Sequence, residues 1–341
     1  MSTTGSPNQE RLEPSAAYEL MNTQASEALE WAASGMTGRT ATTPSSPERL
    51  LIGLVCHLHP ASDLLHPIFE KVLYGIRSRL TAGDCDLLLC ATRPVGADKS
   101  FRAVAVEQTI GHGVAALIAW GMSNKGPEVK PILNSALPAM FIDNDVIGEH
   151  VGYVMSANVE GCAQAVRHLH ETGRRRIAHI AGTLNTRPGP DRLFGYRSEL
   201  EALGLTVPPE YVEQGDFRHT SGYEAAKRLL ALPKPPDAIT CGSDWMAIGA
   251  MVAIEEAGLR VPEDIAVTGF DDIALAAELK PSLTTVRQDA VAMGTAAAEA
   301  IVQMLADPSG TPPVVIVPTK LVVRESSGVP PRGSSPGHSP A

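Results

Sequence analysis

The chain has 341 residues, of which 44% are apolar, 19% charged and 4% aromatic, with a formal net charge of −10. That length suggests two domains and leaves the core to aliphatic packing. The acidic balance excludes a broad basic surface for nucleic acid, though not a small DNA-reading element.

The five cysteines form no Cys-x-x-Cys pair and read as buried, reduced thiols of a cytosolic protein. The first ten residues lack the basic and apolar regions of a secretory signal, and no stretch approaches ~18 uninterrupted apolar residues, so neither export nor a membrane partner is expected.

Residues 1–48 are rich in Ser, Thr, Ala and Glu, with six acidic against two basic side chains. Tyr18, Met21, Ala25 and Leu29, at helical spacing, predict one helix over 15–33, and 40–47 reads as a linker. From Leu50, strands at 50–56, 86–91, 115–120 and 139–142 alternate with helices at 67–81, 100–110 and 127–135. A second cycle places helices at 159–172, 191–203, 220–232 and 244–257 around strands at 176–181, 238–241 and 265–269. An extended segment at 284–289, an Ala-rich helix at 290–305 and strands at 314–317 and 320–323 follow. Such alternation implies βαβ units and parallel sheets. Residues 327–341 read as a Ser/Pro/Gly tail too polar to fold.

The domain boundaries that result are an arm at 1–48, one lobe from 49–157 plus about 288–318, a second from 158–287 plus about 319–326, and the tail. Asp271 and Asp272 are expected to stand exposed where a buried strand ends. Ligands of parallel α/β sheets sit outside the carboxyl ends of the strands, so Asp271 is the first candidate for ligand contact.

Signals for other chemistry are weak. His57, His59 and His66 lie close in sequence but lack a matching Cys or acidic set, so no metal is expected. Gly111-His-Gly113 misses the third glycine of a dinucleotide fingerprint. No nucleophile elbow, phosphate loop or His-Glu-x-x-His motif occurs, so neither a cofactor nor an enzyme active site is expected.

Several segments, in order, resemble the lactose/galactose repressor (LacI/GalR) family between about residues 50 and 326. They include Leu51-Ile-Gly-Leu-Val55, His66-Pro-Ile-Phe69, Asp191-Arg-Leu-Phe-Gly-Tyr196, Pro281-Ser-Leu-Thr-Thr-Val-Arg-Gln288 and Leu321-Val-Val-Arg-Glu-Ser326. The resemblance implies a two-lobed α/β fold of the type I periplasmic-binding-protein-like kind, each lobe a doubly wound parallel sheet. It further implies a homodimer, and a sugar, polyol or nucleobase effector held between the lobes of a ligand-responsive transcriptional regulator.

Carried over by matching motif, the binding candidates are Arg192, Phe217, Asp244 and Asp271, with His66 and Phe69 at the mouth after the first strand. Charged side chains would bond ring hydroxyls and an aromatic face would cover the apolar side of the ring. Each has a plainer reading: Arg192 as a surface cation, Phe217 as packing, Asp244 as a helix cap.

Two positions depart from the family pattern, with Ser243-Asp244 for Asn-Asp and Ala157-Asn158 for Asp-Asn. The family's helix-turn-helix is not recognisable in residues 1–48, so no DNA-binding residue is assigned and an operator partner is not supported there. Three functions stay open. They are DNA-binding regulation through a divergent, partner-supplied or upstream-encoded module, ligand sensing through protein contacts alone, and an enzyme or transport-type binding protein on the same fold.

Overall fold

The computed structural model describes residues 11–16, 19, 49–57, 67–92, 100–123, 125–206 and 208–328. The first sheet takes β1 (Leu50–His57), β2 (Cys85–Thr92), β3 (Ala116–Trp120), β4 (Ala139–Ile142) and β5 (Val151–Ser156), with helices α1 (Pro67–Ala82), α2 (Ser100–Gly111) and α3 (Val129–Asn134) between them. It is completed from far along the chain by β11 (Val314–Val317), in the order β11-β5-β4-β3-β1-β2, all parallel. Strands covered on both faces need continuous apolar runs, and Ile52, Leu54, Leu117, Ile118, Met140 and Phe141 are all essentially inaccessible.

The second sheet contains β6 (Ile177–Ala181), β7 (Val212–Gln214), β8 (Ala238–Cys241), β9 (Ala266–Asp271), β10 (Thr284–Gln288) and β12 (Thr319–Val322). Its order is β12-β10-β9-β8-β6-β7, with β12 antiparallel at the edge. Its helices are α4 (Asn158–Glu171), α5 (Pro188–Ala202), α6 (His219–Leu230), α7 (Asp244–Glu256) and the short α8 (Ala274–Glu278). The long α9 (Ala290–Ala306) returns to pack against α1 in the first lobe.

The chain therefore crosses between lobes after Ser156, after Gln288 and after Val317. The crossings are laced together: Ser156 Oγ donates to Gln288 Oε1 (2.9 Å), Ala157 N to the Val317 carbonyl (2.8 Å), and Thr319 Oγ1 to the Ala157 carbonyl (3.2 Å).

Three elements escape the sequence pattern. β5 reads Val-Gly-Tyr-Val-Met-Ser, its apolar run broken by Gly152. A Cβ there would sit 2.2 Å from the Pro313 carbonyl oxygen, so the approach of the segment entering β11 requires the glycine. β7 has only three residues, and α8 only five. The tail also starts later than expected: Ser327 is fully buried, its hydroxyl 2.8 Å from His168 Nε2 and 2.7 Å from Thr284 Oγ1. Most of the expected helix at 15–33 lies outside the described residues.

Candidate functional site

The carboxyl ends of β3, β4, β6, β7, β8, β9 and β10 open onto one cleft of about 400 Å³ between the sheets. From the first lobe come Ile68, Trp120, Gly121, Ser123 and Asp143. Thr183, Asn185, Thr186 and Pro188 enter from the turn before α5, with Arg192 on that helix. Asp216, Phe217, Arg218, Ser243, Asp271 and Gln288 close the opposite side.

Arg192 is the centre of the site. It is 3% exposed, so it is not the surface cation of the plainer reading. Nε donates to Asn158 Oδ1 at 2.8 Å, Nη1 donates to the Gly242 carbonyl at 2.6 Å, and Nη1 lies 3.7 Å from Asp271 Oδ1. The guanidinium carbon stands 3.6 Å from the Phe270 ring centroid and 5.7 Å from that of Phe217, a cation held over two π faces. Burial lowers its pKa, and Asp271 opposes that most strongly.

Asp271 is not exposed, as the sequence led us to expect, but 4% accessible. β9 runs to Asp271 itself, where φ is +125°, and Gln288 and Arg192 close over the carboxylate. Burial pushes its pKa up to about 7, against the pull of Arg192 and then of Gln288. Asp143 faces the cleft from the first lobe. Burial raises it to about 6, with Arg192 the chief opposing influence. The Trp120 indole N–H is directed at the Asp143 carboxyl and lowers its pKa, although the two buried atoms, Trp120 Nε1 and Asp143 Oδ1, fall short of full hydrogen-bond geometry. A buried carboxyl and indole N–H that meet with poor geometry keep bonding capacity for a polar guest.

Left-handed backbone concentrates here. Asp143 (φ +58°), Phe217 (φ +71°), Asp271 (φ +125°) and Asp272 (φ +56°) are non-glycine residues at strand ends, where such strain commonly accompanies function. The Phe217 ring lies against Gly182, where a Cβ would stand 1.9 Å from it, so any larger residue there would displace the aromatic wall.

The remaining candidates fall elsewhere. Asp244 is fully buried but does not line the cleft. Its carboxylate accepts from Thr285 Oγ1 (2.5 Å) and Ile273 N (2.9 Å), tying β10 to the turn after β9, and burial raises its pKa well above the ordinary range. It does not cap α7. Ser243 does, with Oγ accepting from Met246 N (3.2 Å) and donating to the Phe217 carbonyl (3.1 Å). Phe69 is buried behind the cleft wall, its ring centroid 5.2 Å from that of Trp120. His66 lies outside the described residues.

Two contacts bridge the cleft mouth. Arg187 Nη1 meets Asp145 Oδ2 of the first lobe at 2.8 Å, while its Nε holds Asp191 Oδ1 at 2.9 Å. Lys71 Nζ donates to the Asp272 carbonyl at 3.5 Å. Trp120, Asp143, Arg218 and Gln288 had not been singled out from sequence. Asp143 follows an expected strand, the same signal that singled out Asp271, whereas Gln288 lies in the segment 284–289, to which no strand was assigned.

Among the described residues no cluster of three or more His, Cys, Asp or Glu could hold a metal ion, and no helix is long and apolar enough to cross a membrane.

Residues 166–327 match the model of the periplasmic binding protein-like domain. The HTH-type transcriptional regulator CelR of Thermobifida fusca is 39% identical over 178 residues, 52% of each chain. The HTH-type transcriptional repressor PurR of Yersinia enterocolitica is 37% identical over 179 residues, also 52% of each. The chain thus spans about half the length of these curated relatives. A longer match, 29% identical over 76% of each chain, is to PurR of Pectobacterium carotovorum. Among solved structures, a CelR–cellobiose complex superposes with a TM-score of 0.76 at 29% identity, covering 82% of this chain and 86% of that one. The lac repressor dimer bound to operator and an anti-inducer gives 0.71 at 25% identity, covering 89% and 98%.

Fold and cleft together define a two-lobed periplasmic binding protein-like domain, with its site at the strand ends between the lobes. In sequence and structure the chain is similar to transcriptional regulators of the LacI type.

Proposed function

We propose that the protein is a ligand-responsive transcriptional regulator of the LacI/GalR type, acting in the cytoplasm as a homodimer and binding a neutral, sugar-like effector between its lobes. The observation that carries the reading is the Arg192–Asp271 pair, buried in a cleft whose first-lobe wall offers the Asp143 carboxyl and the Trp120 indole. Alternating acceptors and donors from both lobes suit a ring of hydroxyls, and Phe217 supplies an aromatic face. A guest touching both walls favours the closed arrangement by its differential affinity, and a dimer partner can sense that shift. No enzymatic step is assigned.

Calorimetric titration with cellobiose, then other sugars, polyols and nucleobases, tests the binding. Saturable binding lost in Asp271→Ala is expected, and full affinity in that variant would reject the site. A mobility-shift assay with the gene's own upstream region tests the DNA role. A second reading, a sensor working through protein contacts, is favoured by the acidic balance of residues 1–48. Absence of salt-sensitive DNA binding would select it.

A further inference from the structure

Residues 11–14 precede the first lobe in sequence, yet they lie on the second. Leu12 forms a parallel bridge with Leu279: its N–H donates to the Glu278 carbonyl and its carbonyl accepts from Lys280 N, both at 2.8 Å. The Leu12 side chain packs against the second-lobe core and Pro14 is buried. Arg11 Nη1 bonds both carboxylate oxygens of Glu325 at 2.6 Å, and Lys280 Nζ stands 3.7 Å from Glu13 Oε1. A short segment held through main-chain bonds at an isolated bridge, with Leu12 and Pro14 as apolar anchors, is a small-scale form of peptide docking.

We propose that the surface formed by Glu278–Lys280 and Glu325 is a reversible docking site for Arg11–Pro14 of this same chain, and that its occupancy is coupled to the acidic strand tip at Asp271 and Asp272. Reversibility follows from the size of the contact. Both ion pairs are half-exposed or more, with Arg11 and Glu325 each 51% accessible and Lys280 69%, and such pairs contribute little. Two backbone hydrogen bonds, one part-buried leucine and one buried proline are then set against the entropy of ordering a short segment. Segments balanced in this way belong to the low-stability end of a fold, from which switching elements are drawn.

The coupling has a continuous physical route. Glu325, which grips Arg11, also accepts from Ser282 N (2.9 Å) and Ser282 Oγ (3.0 Å). Its neighbour Arg324 donates to the Leu283 carbonyl (2.7 Å) and to Asp272 Oδ1 (2.6 Å). Asp272 follows Asp271 in the chain, so a rearrangement of Asp271 on ligand binding would reach the Arg324–Glu325 pair through the Asp272 carboxylate. By linkage, docking of the segment must then alter ligand affinity by the same factor. The coupling rests on the cleft being the ligand site; the docking itself does not.

Contiguity alone does not establish coupling, so the test breaks the route at its far end. Hydrogen exchange by mass spectrometry on the full chain would follow the Leu12 and Lys280 amides in wild type, Arg11→Glu, Glu325→Gln and Asp272→Asn. We expect protection of about 10- to 1000-fold in wild type. All three variants are expected to lower it at least about 10-fold, with β6 and β8 amides unchanged. Wild-type protection equal to that of the core strands would overturn reversibility. Loss of protection in Arg11→Glu and Glu325→Gln but not in Asp272→Asn would reduce the contact to a local tie and overturn the coupling. Cellobiose titration of wild type and Arg11→Glu separates the two proposals. No binding to either counts against the effector reading, whereas equal binding to both counts against the coupling.

Discussion

Gln288 Nε2 donates to Asp271 Oδ1 at 2.5 Å, while Gln288 Oε1 accepts from Ser156 Oγ at 2.9 Å. One side chain on the second crossing thus joins the strand-tip acid to the first crossing. Arg192 completes the circuit through Asn158, the second residue beyond Ser156. A guest that repositions Asp271 therefore acts on two of the three lobe connections. Gln288→Ala should weaken effector binding about tenfold, consistent with about 1–3 kcal/mol for leaving buried partners unsatisfied. X-ray scattering should show a larger radius of gyration for the ligand-free variant, and unchanged scattering with unchanged affinity would argue against the relay.

Asp143 gives a pH prediction with a definite sign. Its carboxyl is raised to about 6 by burial, whereas an unfolded aspartate titrates near 3.9. Between those values the folded state holds the extra proton, so stability falls as pH rises through the window and stays lower above it. Asp143→Asn removes that loss. The unfolding free energy of the variant, measured in urea, should match wild type near pH 4 and exceed it increasingly to a plateau above about pH 7, by on the order of 1–3 kcal/mol. A difference independent of pH would show that burial of the charge is not the cause.

The Arg192–Asp271 pair should be strongly non-additive. Removing either partner alone strands a buried charge or forces its neutralisation, at a cost of about 3–5 kcal/mol. The double variant Arg192→Met/Asp271→Asn should lose at least about 1 kcal/mol less than the sum of the singles in urea unfolding. Additive losses would mean that the two charges do not support each other.

Across the mouth, Arg187 is shared between Asp145 of the first lobe and Asp191 of its own helix. Asp145→Arg should place like charges there and open the lobes, visible as an increased radius of gyration at low salt. The exchange Asp145→Arg/Arg187→Asp should restore the wild-type value. Failure of the double exchange to restore it, with both proteins folded by circular dichroism, would remove Arg187 from lobe closure.

Ser243 combines a helix cap with a tether on the Phe217 backbone. Ser243→Ala should cost about 1 kcal/mol of stability, the usual value of a lost cap. A loss below a few tenths in chemical denaturation would mean that another group takes over the α7 N-terminus.

The fold was largely legible because its strands are short, apolar and separated by helices of ordinary length, so both sheets appear as alternation. Val212–Gln214 and Ala274–Glu278 were not legible, since segments of three and five residues carry no period. Within the site, Arg192, Phe217 and Asp271 were found through motif and strand-end position. Asp244 misled because its place in sequence, next to Ser243, says nothing of direction: its carboxylate turns toward Ile273 and Thr285 beneath the cleft. Trp120 and Asp143 were missed because an apolar strand ending in a tryptophan or followed by an aspartate looks like any other. Only the closure of two lobes makes those positions converge with Arg192.

The crossed topology also bears on synthesis of the protein. The first sheet is not complete until Val314–Val317 supplies its edge strand, and the second waits for Thr319–Val322. Neither sheet is complete without a strand supplied from beyond the other lobe. A partly made chain that has passed β10 but not reached residue 314 exposes the β5 edge of one sheet and the β10 edge of the other, and unpaired edges of that kind invite pairing with other chains.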